Sequence, residues 1–142
     1  MNISVQDRLD ILELTARYNH AIDHHAPEAW ADLFTAGGVL KSGDDVKAFG
    51  REQLVDFAKR VAAQGRKARH WVNNLVIEGD SSSAALKMYF CAYDLASEGQ
   101  QLFPYVMGEY EDQVVKTSAG WKFKVRDLRI VGGRSKLFKS NN

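Results

Sequence analysis

Apolar positions in the first part of the chain recur at helical spacing. In "VQDRLDILELTARYNHAID", residues 5–23, Leu9, Leu12, Ala16 and Asn19 share one stripe and Ile11, Thr15, Tyr18 and Ile22 an adjoining one, which predicts a helix with a broad apolar side. In "HHAPEAWADLF", Pro27 suits the first turn of a second helix, Trp30, Leu33 and Phe34 fall at core-facing spacing, and the "AGG" of residues 36–38 reads as its stop. Two short strands, "VLKS" and "DVKAFG", flank Gly43. A third helix follows in "REQLVDFAKRVAAQG", with Leu54, Phe57, Ala58 and Val61 inward and Gly65 ending it.

From residue 67 the hydrophobic period changes to two. Runs at 67–79, 83–95, 101–116 and 120–131, separated by "GDSS", "SEGQ" and "TSAG", predict four long strands in a meander. Helices gathered early and neighbouring antiparallel strands late imply an α+β domain, its helices packed in the concave face of a curved antiparallel sheet. Without repeat, linker or low-complexity segment, the 142 residues read as one domain with a core over about 5–132 and a polar tail at 133–142.

Composition narrows the partners. With 19 basic and 18 acidic residues the chain carries a formal charge of +1, too little for a broad nucleic-acid or membrane footprint. A small molecule or a second copy of the chain is the expected partner. Cys91 is the only cysteine, which excludes an intrachain disulfide, and its place in "KMYFCAY" reads as a buried thiol. The chain opens on neither a long apolar stretch nor a signal-peptide pattern, so a cytoplasmic location is expected.

The candidate chemistry centres on "ARHWVNNLVIEG", residues 68–79. Strand alternation turns His70, Val72, Asn74 and Val76 to one face, and Trp71, Leu75 and Ile77 to the other. A polar pair among valines is either a pocket wall or a satisfied buried pair. An imidazole on an inward face can exchange a proton near neutral pH while shielded from water. Asp23, at the end of the first helix and one turn beyond Asn19, is placed to orient such an imidazole. His20, His24 and His25 suggest a metal site only in outline, because no third ligand is evident, and no metal is expected. Tyr89, Tyr93, Phe103, Tyr105 and Met107 could line a cavity, or form plain core or a dimer face. Trp30 and Trp121 read as core anchors.

Taken in order, "RYNHAID", "WADLFTAGGVL", "GREQLVDFA", "RHWVNN" and a "W-K-F" strand resemble the SnoaL-like branch of the nuclear transport factor 2 superfamily over nearly the whole chain. That resemblance implies a cone-shaped α+β barrel with a deep apolar pocket. The branch includes polyketide cyclases, scytalone dehydratase and hexachlorocyclohexane dehydrochlorinase. In the dehydratase and dehydrochlorinase a helix-end Asp pairs with a strand His, positions matched here by Asp23 and His70. Asn74 matches the family's H-x-x-x-N pattern as a pocket-wall or substrate contact. Arg126, five residues after Trp121, matches an arginine that could hold a leaving anion, although alternation from Trp121 requires a bulge to turn it inward. A carboxylate used by the ketosteroid isomerases is replaced by Ser42, Gly37 and Ala26 stand where many relatives are acidic, and the epoxide-hydrolase set has no counterpart.

The resulting expectation is a cofactor-independent lyase or isomerase. His70 would abstract a proton, Asp23 would steady the imidazolium, and Asn74 with Arg126 or a tyrosine would steady the departing or developing anion. Tyr18, Asn74, Tyr89 and Tyr105 would contact a mostly apolar ring compound with one or two oxygens or a halogen. No nucleotide or metal motif is visible, so no cofactor is expected. A second reading is a non-catalytic binding or accessory domain with the same pocket. A homodimer through the outer sheet face is expected in either case.

Overall fold

The computed structural model describes residues 2–95 and 102–133. Helix α1 spans Val5–Asp23, α2 Pro27–Ala31 and α3 Gly50–Ala63. The strands are β1 Phe34–Ser42, β2 Asp45–Phe49, β3 Ala68–Gly79, β4 Ser83–Asp94, β5 Pro104–Thr117 and β6 Gly120–Gly133. They form one curved, open sheet in the order β2-β1-β6-β5-β4-β3. All neighbours run antiparallel except β1 and β6, which are parallel. The sheet is therefore mixed rather than purely antiparallel. With β2 and β3 as free edges, it does not close into a barrel. Of the predicted tail at 133–142 all but Gly133, and the first residue of the 101–116 run, lie outside the described residues.

Helix α1 starts where Ser4, in extended backbone, caps the Asp7 amide with its hydroxyl, an arrangement worth about 1 kcal/mol. Its buried face is Ile11, Leu14, Thr15, Tyr18, Asn19, Ile22 and Asp23. Leu9, Leu12 and Ala16, read as part of the apolar side, are instead exposed. The inner stripe alone packs against β3 and β6.

Helix α2 stops at Ala31, and "TAGG" belongs to β1. The two glycines do not terminate a helix. The β1–β6 register shifts between Phe34 and Val39, and a Cβ on Gly38 would lie 2.7 Å from the Phe34 Cβ, so the irregularity needs a residue without a side chain there. The core gathers Tyr18, Trp30, Phe34 and Phe123 in tilted ring contacts, edge to face between Tyr18 and Phe123, with ring centroids 5.1–6.2 Å apart where they touch. Trp30 and Trp121 are both buried, as core anchors must be.

Candidate functional site

Strand β3 enters the site at its first turn of alternation. The Asp23 carboxylate, at the last residue of α1, accepts two hydrogen bonds from the same partner: the His70 amide at 2.9 Å and the His70 Nδ1 at 2.5 Å. A carboxylate can only accept, so Nδ1 carries the hydrogen and the lone pair stays on Nε2. The backbone contact fixes where the strand meets the helix end, and the ring contact fixes the tautomer. Asp23 is buried and the His70 side chain is only 17% exposed. The sequence-predicted pair is thus in direct contact.

His70 borders a cavity of about 90 Å³ lined mainly by Ile22, Leu40, Phe57, Phe90, Leu128 and Ile130, with Tyr18, Tyr105 and Tyr110 supplying phenols. A smaller recess beside it is shared by Asp23, His70, Gln64, Arg66 and Tyr105. The Phe90 ring lies 6.2 Å from the imidazole. Gly108 faces Phe90 across β4 and β5, and an added Cβ would meet that ring at 2.2 Å, so the glycine makes room for the cavity wall.

Two of the expected contacts are elsewhere. Asn74 sits at a bulge, where the β3–β4 register shifts between Asn73 and Val76 and Asn74 takes a φ of 59°. Its side chain is exposed, and beyond it the parity of the strand reverses. Leu75 and Ile77 consequently pack on the core while Val76 points outward. Tyr89 is on the outer face of β4 and 54% exposed. Met107 and Phe103 are likewise exposed, and none of the three lines the cavity. Cys91, read as buried, is half-buried on the outer face between its register partners Trp71 and Met107.

Arg126 does turn inward. The β5–β6 register shifts between Gln113 and Val114, so Trp121 and Phe123 before the bulge and Arg126, Leu128 and Ile130 after it all face the core. Its side chain is fully buried, yet it lies behind the cavity rather than in its wall. The guanidinium donates from Nε and Nη2 to the two oxygens of Asp112 at 3.1 and 3.0 Å. It also sits 3.5 Å above the Tyr110 ring centroid and 4.1 Å from that of Tyr18. Burial pushes the Asp112 carboxyl up to about 6 against the pull of Arg126. Burial alone would lower the guanidinium's pKa, but Asp112 outweighs it and holds Arg126 above its ordinary range. Burial also raises both Tyr18 and Tyr110, with Arg126 opposing, so both phenols stay protonated donors at neutral pH.

Arg66 is the residue that strand-by-strand reading passes over. It lies just before β3, yet lines both the cavity and the recess, with its Cζ 4.0 Å from the Tyr105 ring centroid. Counting back by two from His70 through Ala68 reaches Arg66, so continued alternation was the available signal. His20 and His24 stack at 5.8 Å, His24 Nδ1 bonding the His20 carbonyl. Among the described residues no three His, Cys, Asp or Glu side chains converge as a metal set. Nor is any helix there long and apolar enough to cross a membrane.

Solved structures share this architecture. A cystatin-like-fold protein of unknown function from Nostoc punctiforme is 24% identical, with 92% of this chain and 95% of that one covered at a TM-score of 0.82. A function-unknown protein from Mycobacterium tuberculosis is 28% identical over 86% of this chain and 70% of its own, with a TM-score of 0.77. A structure from Novosphingobium aromaticivorans, described as a candidate scytalone dehydratase, is 24% identical over 98% and 96% of the two chains, with a TM-score of 0.76. No curated protein matches. The model of the SnoaL-like domain matches residues 4–127, which takes in both members of the Asp23–His70 pair and nearly the whole sheet, and on that extent the chain belongs to the SnoaL-like family.

Proposed function

We propose that the protein is a cofactor-independent lyase or isomerase acting on a small, mostly apolar ring compound. The observation that carries this reading is the doubly bonded Asp23–His70 pair at the wall of an apolar cavity. His70 Nε2 takes a proton from a carbon made acidic by a neighbouring oxygen function. Asp23 holds the ring in place and balances the imidazolium as it forms. The negative charge left on the substrate is met by phenol donors from Tyr18, Tyr105 and Tyr110. Arg126 supports Tyr18 and Tyr110 from behind and does not touch substrate.

The test is deuterium uptake by phenylacetone, an apolar ring with acidic benzylic protons, followed by proton NMR in heavy water. The wild type should exchange these protons faster than buffer, and His70→Gln should lose about 10²–10⁴-fold of that rate, the usual worth of a positioned general base. An exchange rate no greater than buffer, with ligand binding retained in His70→Gln, would instead make this a binding or accessory domain.

The outer sheet face supports a further reading, that two copies pair through it. Trp71, Tyr89 and Met107 are exposed there, beside Lys87, Glu109, Glu111 and Arg129. Charges of both signs around an apolar centre suit a two-fold interface, in which each patch must complement itself.

A further inference from the structure

We propose that Arg66 is the substrate-anchoring residue of this site, and that the substrate therefore carries a carboxylate. The inference rests on the lyase or isomerase reading and adds the substrate class to it. Cavity size supplies the first step. An apolar protein cavity of about 150 Å³ is what a benzene molecule fills. At about 90 Å³, this one takes only part of a ring, and the remainder of the ligand extends along Arg66 and Tyr105, which border both the cavity and the recess beside it.

Arg66 is suited to receive what emerges there. Its side chain is 29% exposed, so the charge is partly shielded but reachable. The guanidinium is laid against the Tyr105 ring, with Cζ 4.0 Å from the centroid, which fixes its plane. Asp94 Oδ2 lies at a long 3.4 Å from Nε. A planar, partly exposed guanidinium bordering an apolar cavity matches a carboxylate in shape and charge. The Asp23 carboxylate in the adjoining recess is already committed to His70, so it does not satisfy the guanidinium. Binding would then place the ring inward against Phe90 and Leu128, and the carbon beside His70, while the carboxylate stays beside Arg66.

The experiment compares phenylacetate with phenylacetamide, which has nearly the same shape without the charge, by calorimetric titration of wild type and Arg66→Gln. Phenylacetate should bind the wild type about tenfold more tightly than the amide, the scale of one charge-assisted contact. Arg66→Gln should erase that difference and leave the amide's affinity within about twofold, its thermal unfolding reporting an intact fold. Equal binding of the two probes, no saturable binding of phenylacetate, or a preference that survives Arg66→Gln would each overturn the proposal. Benzylic exchange of neutral phenylacetone separates the two ideas. If it depends on His70 while the acid is not preferred, the anchoring role falls and the proton-transfer reading stands; a carboxylate preference without exchange has the opposite meaning.

Discussion

At Arg126 a permanently charged side chain is closed off from water altogether, and its neighbours explain how that is tolerated. Asp112 takes two of its donors, Met88 Sδ lies 3.5 Å from Nη2, and the faces of Tyr110, Tyr18 and Phe123 surround the cation. Nη1 has no hydrogen-bond acceptor among the described residues, so the ring faces do part of what a hydrogen bond would. Removing one member of such a pair leaves the other charge stranded. Arg126→Met should therefore destabilise the fold by about 3–5 kcal/mol, whereas adding Asp112→Leu should recover much of the loss, measured by urea unfolding. If the double variant is no more stable than the single, the cost lies in packing rather than in the stranded carboxylate. The arginine was marked by the family resemblance, through its position five residues after Trp121, and strand alternation showed the need for a bulge. Its place behind the tyrosines was not, because that depends on Asp112, fourteen residues away in sequence and facing it across β5 and β6.

Among the elements, the join between α1 and the sheet is made by Asp7. Its carboxylate accepts from Lys116 Nζ at 2.8 Å, Trp121 Nε1 at 2.9 Å and the Ser4 hydroxyl at 2.7 Å. The Lys116 contact first, then Ser4 and Trp121, hold this carboxyl far below the usual carboxylate range. The folded chain binds the Asp7 proton more weakly than the unfolded chain does. Stability from this group is thus complete above the unfolded value of about 3.9 and drains away as pH falls through the depressed folded one. Asp7→Asn should melt at a lower temperature than wild type at neutral pH, and the gap should narrow below about pH 4. A gap that stays constant down to about pH 2 would show that the charge contributes nothing. The bulges are the other decisive feature of the elements. The shift after Asn73 is what moved Asn74 out of the site and Leu75 and Ile77 into the core, and nothing in the local alternation announces it. A residue at φ 59° is a backbone event, and asparagine tolerates it better than most.

For the whole molecule, the open sheet leaves one face without a cover. Trp71, at 68% exposure, contacts the Tyr93 ring at a centroid separation of 5.3 Å, so the apolar surface is continuous across two strands. We expect the protein to sediment as a dimer of 15.9 kDa subunits, and Trp71→Glu combined with Met107→Lys to sediment as a monomer. A monomeric wild type at micromolar concentration would sink this interface.

What the sequence determined by itself is what rests on near neighbours. The boundaries of α1, the change of period at residue 67, the four long strands and the core tryptophans all follow from local spacing of apolar side chains, and so were legible. The Asp23–His70 pair was legible through family resemblance, since both residues stand in local motifs. Only the tertiary structure decided the parallel pairing of β1 with β6, the open edges, and the removal of Asn74 and Tyr89 from the cavity. Each of these depends on register between segments far apart in the chain. A single-residue slip in register turns every later side chain to the other face, and local alternation carries no record of it.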